Sequence, residues 1–133
     1  FWHNQPMKNR VVHFEIGAED PAKLSEFYKK AFGWEINEWG DSGYFMVGAE
    51  KDAKVGAING GIMERFGSEK TINSIDVEDI DRAIKDVTDN GGKIVKPKVA
   101  MPLGDDMMYW CYAQDPQGNI FGLNQMVKNS PTK

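Results

Sequence analysis

The chain has 133 residues, 41% of them apolar and 27% charged, which is the balance of a single globular domain and not of a disordered one. Sixteen Lys and Arg against twenty Asp and Glu give a formal charge of −4, which argues against a basic nucleic-acid surface. No apolar run reaches the roughly 20 residues of a membrane helix, and the one cysteine, Cys111, excludes an intramolecular disulfide framework and fits a reducing, cytoplasmic setting.

Residues 1–6 (FWHNQP) lack the charged start and apolar stretch of a signal peptide. Residues 1–7 and 128–133 are read as flexible termini, and the body as residues 8–127. Val11 to Ile16 alternates as a strand, with Val12, Phe14 and Ile16 on one face and Val11, His13 and Glu15 on the other. Asp20-Pro21 opens a helix, the first as N-cap and the second at its first position. Leu24, Phe27, Tyr28 and Ala31 form its apolar stripe, and Gly33 ends it. Trp34 to Trp39 and Tyr44 to Gly48 read as strands about a Gly-Asp-Ser-Gly turn. A polar connection, Glu50 to Gly56, leads to a strand within Ala57 to Arg65.

The order then repeats. Lys70 to Val77 is a strand, and Asp79 caps a helix running to about Asn90 with Ile80, Ala83, Ile84 and Val87 buried. Gly91-Gly92 stop it, and Lys93 to Val99 is a strand weakened by Pro97. Ala100 to Asp106 reads as a loop, placed either as a lid over a cleft or as a packed crossover. Met107 to Gln114 and Ile120 to Val127 are strands about the Asp115–Asn119 turn. A shift of 59 residues brings Ile16 onto Ile75, Glu19 onto Glu78, Asp20 onto Asp79 and Gly33 onto Gly92. The expected fold is therefore α+β: two tandem βαβββ modules, about 8–66 and 70–127, with curved mixed sheets around a cleft.

Three segments carry a resemblance: VVHFEIGAEDPAKLSEFYKKAFGWEI, INSIDVEDIDRAIKDVTDNGGKIVKPK and YWCYAQDPQGNIFGLNQ. Together they resemble the vicinal oxygen chelate superfamily of glyoxalase I, bleomycin-resistance proteins and extradiol dioxygenases, and most nearly its glyoxalase-related branch. The resemblance implies paired modules about a cleft and a homodimer. In the metal-dependent members it also implies four protein positions that hold a divalent ion. Carried onto this chain, those positions are His13, Ile72, Gly122 and a place within Gly61–Glu64, where Glu64 alone could ligate. Ile and Gly offer no ligand atom, so no metal residue and no cofactor are predicted, although a divalent metal stays open.

His13 is the leading candidate, as an acid/base or hydrogen-bonding group with Glu64 as a catalytic partner. The alternative is a structural histidine bonded within its sheet. The candidate ligand-binding residues are His13, Glu15, Trp34, Tyr44, Met46, Met108, Trp110, Tyr112 and Asn124, where aromatic and thioether side chains suit a flat apolar molecule. The alternative for the aromatics is core or dimer interface. The expected function is small-molecule binding, with neither nucleic acid nor membrane as partner. A lyase or isomerase acting on a small carbonyl compound through His13 is the second expectation.

Overall fold

The computed structural model describes residues 8–49, 51–52 and 55–129. Residues 1–7 and 130–133, which belong to the two segments expected from the sequence to be flexible termini, lie outside them. Among the described residues are two helices and eight strands, in the βαβββ order twice over. The chain divides into two compact units, one spanning Val12–Asn73 and the other beginning at Ser74 and taking in the residues just before Val12.

In the first module β1 (Arg10–Ala18) leads to α1 (Pro21–Phe32), β2 (Ile36–Glu38), β3 (Phe45–Val47) and β4 (Gly60–Glu64), with sheet order β2-β3-β4-β1. The β1–β4 pair is parallel and the others are antiparallel. The Asp20 carboxylate accepts from the Lys23 N–H at 3.1 Å, and Gly33 closes the helix at φ 69°, a left-handed conformation that glycine adopts most readily. The core holds Ala18, Ile36, Val47 and Ile62, with Phe14, Ile16, Leu24, Tyr28 and Trp34 packed against it. The expected stripe of α1 is only partly right, because Phe27 is 55% exposed while Ser25 is buried, its hydroxyl donating to the Pro21 carbonyl.

In the second module β5 (Thr71–Asp76), α2 (Ile80–Asp89), β6 (Lys93–Leu103), β7 (Asp106–Gln114) and β8 (Ile120–Val127) give the sheet order β5-β8-β7-β6. Asp79 caps α2 by accepting from the Arg82 N–H. Val77, Ile80, Cys111 and Leu123 form the core, flanked by Ala83, Ile84, Val87, Tyr109 and Phe121. The Ala100–Asp106 loop does not exist. β6 runs on to Leu103, pairs across to Asp106, and turns through Gly104 at φ 63°. Pro97 and Pro102 are tolerated because β6 lies at the end of the sheet order and its register slips between Ile94 and Val99.

Candidate functional site

Strand alternation gives each sheet one face under its helix and one face turned away. On β1, Phe14 and Ile16 join the helix-side core, so His13 and Glu15 point to the other face. Glu15 pairs with Gly61 on β4, and Gly61 pairs with Met46 on β3, so these three share that face. Tyr44 enters the same row from the end of the β2–β3 turn. Its carbonyl accepts from the Trp39 N–H at 2.9 Å and its N–H donates to the Ser42 hydroxyl.

These positions build a chain of hydrogen bonds. The Tyr44 hydroxyl donates to Glu15 Oε2 at 2.6 Å, and His13 Nε2 stands 2.9 Å from the same hydroxyl. His13 Nε2 is 3.7 Å from Glu15 Oε2. The Glu15 side chain is 7% exposed and that of His13 33%, so the carboxylate is the buried end and the imidazole the open one. A buried carboxylate is costly unless it is hydrogen-bonded, and the Tyr44 hydroxyl supplies that bond. Gly61 makes room for this, because a Cβ there would overlap the Tyr44 hydroxyl oxygen.

Two expected members are absent from this cluster. Glu64 pairs with Ala18, in the row alternation that holds Phe14, Ile16 and the helix-side core. It therefore faces away from His13, and the side chain that meets the imidazole is that of Tyr44. Trp34 is also on the helix side, stacked on Tyr28 at 4.4 Å and edge-on to Phe14 at 6.2 Å. It lines a separate concavity of about 420 Å³ with Phe14, Phe32, Val47, Ile58 and Asn59.

The second module has its own open face. Met108, Trp110 and Tyr112 alternate on β7 opposite Met126, Asn124 and Gly122 of β8, while Tyr109, Cys111 and Ala113 turn inward. Asn124 Nδ2 donates to Asp76 Oδ1 at 3.4 Å, and Asp76 Oδ2 pairs with Lys8 at 3.2 Å. Asn124 is thus already engaged within its own module. A Cβ on Gly122 would meet the Ser74 hydroxyl oxygen at 2.6 Å, so a larger side chain there requires Ser74 to turn its hydroxyl away. Burial pushes the Cys111 thiol up to about 11, which keeps it protonated and inert at neutral pH.

The four positions implied for a metal fare poorly. His13 alone offers a ligand nitrogen: Ile72 is fully buried hydrocarbon, Gly122 has no side-chain ligand atom, and Glu64 faces away from His13. Among the described residues no three His, Cys, Asp or Glu side chains gather as a metal could use them. The residues present do not fit the family's ion. Among the described residues, no helix is long and apolar enough to cross a membrane.

The model of the Glyoxalase/Bleomycin resistance protein/Dioxygenase superfamily matches residues 10–123. No curated protein matches the chain. Among solved structures, a superfamily member from Vibrio splendidus 12B01 aligns with TM-score 0.64 at 19% identity, covering 89% of this chain and 98% of that one. A protein from Legionella pneumophila described as an NAD-dependent benzaldehyde dehydrogenase aligns with TM-score 0.60 at 18% identity, covering 87% and 98%. A variant of Streptomyces coelicolor methylmalonyl-CoA epimerase, in complex with 2-nitronate-propionyl-CoA, aligns with TM-score 0.58 at 16% identity, covering 89% and 97%. At these identities the likeness is one of fold.

Proposed function

The chain belongs to the Glyoxalase/Bleomycin resistance protein/Dioxygenase superfamily, and we propose that within it the protein binds a small, largely apolar molecule on the open face of its first module, without the metal of its metal-dependent relatives. The observation that carries this reading is the His13–Tyr44–Glu15 chain, buried at its carboxylate end and open at its imidazole end. Such a chain holds one polar group rigidly at the surface, which is what fixes a ligand's orientation in a mostly apolar site. Met46, 44% exposed in the row of Glu15 and Gly61, supplies an adaptable apolar contact beside it.

The same geometry supports the second reading, acid/base chemistry on a small carbonyl compound, because an oriented imidazole is the usual proton-transfer group. A homodimer and a cytoplasmic setting belong to the proposal as well; light scattering of the purified protein tests the first.

The test is a titration of the protein with a panel of small aromatic alcohols and amines, followed by NMR. Shifts gathered at His13, Tyr44 and Met46, and abolished by His13→Ala, are the expected result. Shifts at Phe32, Trp34 and Ile58 instead would move the binding site to the helix-side concavity and overturn the reading.

A further inference from the structure

We infer that this site takes a ligand presenting a hydrogen-bond donor, an O–H or N–H, to Nδ1 of His13, and that Tyr44 is the positioning residue that sets this polarity. The inference rests on the reading of His13 as the group that meets the ligand, and it names the chemistry that group demands.

The hydrogen-bonded chain has few protons to place. An ionised carboxylate only accepts hydrogen bonds, so the 2.6 Å contact between Tyr44 and Glu15 uses the one phenolic proton. The Tyr44 oxygen then has only lone pairs to offer His13 at 2.9 Å, and the hydrogen between them belongs to His13 Nε2. A neutral imidazole carries one N–H. With Nε2 protonated, Nδ1 is a bare lone pair. No described residue bonds to Nδ1, and the ring is one-third exposed, at 33%.

An ionised Glu15, accepting from Tyr44 at 2.6 Å, sets this direction of the chain. The reverse direction needs a protonated Glu15 donating to Tyr44, with Tyr44 donating to Nε2 and the N–H transferred to Nδ1. The two directions balance protons equally and differ only in where His13 carries its hydrogen.

The consequence for ligands is specific. A carbonyl or ether oxygen brought to Nδ1 would oppose two lone pairs and leave both unpaired, whereas an O–H or N–H completes the chain. A ligand that chelates a metal offers lone pairs, so this site selects for the opposite polarity.

Two measurements decide it. The first is NMR of the His13 ring nitrogens at about pH 8, above the ordinary histidine range, in the wild type and in Tyr44→Phe. The expected wild-type state is the Nε2–H tautomer, and Tyr44→Phe, which keeps the ring, relaxes it to a mixture. An Nδ1–H tautomer in the wild type, or a tautomer indifferent to Tyr44→Phe, overturns the inference. The second uses indole and N-methylindole, which share a body and differ in the donor. Indole is expected to bind at His13 about tenfold or more tightly, the worth of one hydrogen bond left unmade. Equal binding of both at His13 overturns the donor polarity while sparing the binding site. Binding of neither at His13 removes the underlying reading and the inference with it.

Discussion

Tyr44 lies across Gly61, with its hydroxyl oxygen in the space that a Gly61 Cβ would need. The neighbouring Gly60 serves the opposite face in the same way, since a Cβ there would lie 2.6 Å from the Phe14 ring. One glycine therefore admits a core aromatic and the next admits the hydroxyl that joins His13 to Glu15. Gly61→Ala forces the Tyr44 ring off its seat. The expected cost is about 1–3 kcal/mol, the usual penalty for overpacking, read from the denaturant midpoint. His13 should lose its Tyr44 contact in the same variant. A Gly61→Ala protein of unchanged stability with Tyr44 still bonded to Glu15 would refute the packing account.

The Tyr44–Glu15 bond itself can be weighed by a double-mutant cycle. Tyr44→Phe withdraws the phenolic donor from a carboxylate that is only 7% exposed, so it should destabilise by about 1–3 kcal/mol. Glu15→Gln alters the other partner while keeping its size. In the Glu15→Gln background the effect of Tyr44→Phe should shrink by about 1 kcal/mol, because the charged acceptor is already gone. Urea unfolding of the four proteins gives the coupling directly, and a coupling near zero would mean that the contact adds nothing to the fold.

Gly33 and Gly92 fall on one another in the sequence repeat, yet they answer different demands. Gly33 sits at φ 69° with open space around it, so Gly33→Ala should cost about 1 kcal/mol from backbone strain, and Gly33→Asn less, because Asn tolerates that conformation better. At Gly92 a Cβ would lie 2.7 Å from Val87 Cγ1 and 2.8 Å from the Gln114 carbonyl, so there Ala and Asn should both be harmful. The left-handed residue after α2 is Gly91, at φ 96°. Thermal unfolding of the four variants separates strain from crowding by whether Asn rescues Ala.

That difference shows how much was legible before the structure. Periodicity and caps placed both helices, because the Asp20 and Asp79 carboxylates and the apolar stripe of α2 are local signals that the fold respects. Alternation placed His13 with Glu15, and Met108 with Trp110 and Tyr112, because the period of a strand leaves only two faces. What alternation cannot give is the register between strands. Sequence alone allows Glu64 as a partner of His13, whereas the pairing of Glu15 with Gly61 puts Glu64 beside Ala18 on the other side. Trp34 escapes alternation for a related reason: it falls in the connection after Gly33, outside β2, where strand alternation assigns no face. The one available hint was Gly60-Gly61, a pair of glycines inside a strand, which marks a close approach by something on each face.

Cys111 gives the last prediction, on pH. It is 1% exposed and packs with Val77, Ile80 and Leu123 under α2. Burial disfavours the thiolate, which is why the thiol rises from an ordinary value of 9.0 to about 11. The sign of the linkage follows from which state ionises first. In the unfolded chain the thiol loses its proton near its ordinary value, whereas the folded chain holds it until about 11. The stabilisation is therefore complete below the unfolded value and is lost progressively as pH rises towards the folded one. Wild-type stability should fall faster than that of Cys111→Ala across this window, although the alanine variant starts lower because it leaves a small cavity. At about pH 8 a disulfide reagent should label Cys111 only as fast as the second module opens, and unfolding in urea should release the full reaction. Rapid labelling of the native protein would show that the thiol is neither shielded nor held protonated by the core beneath α2.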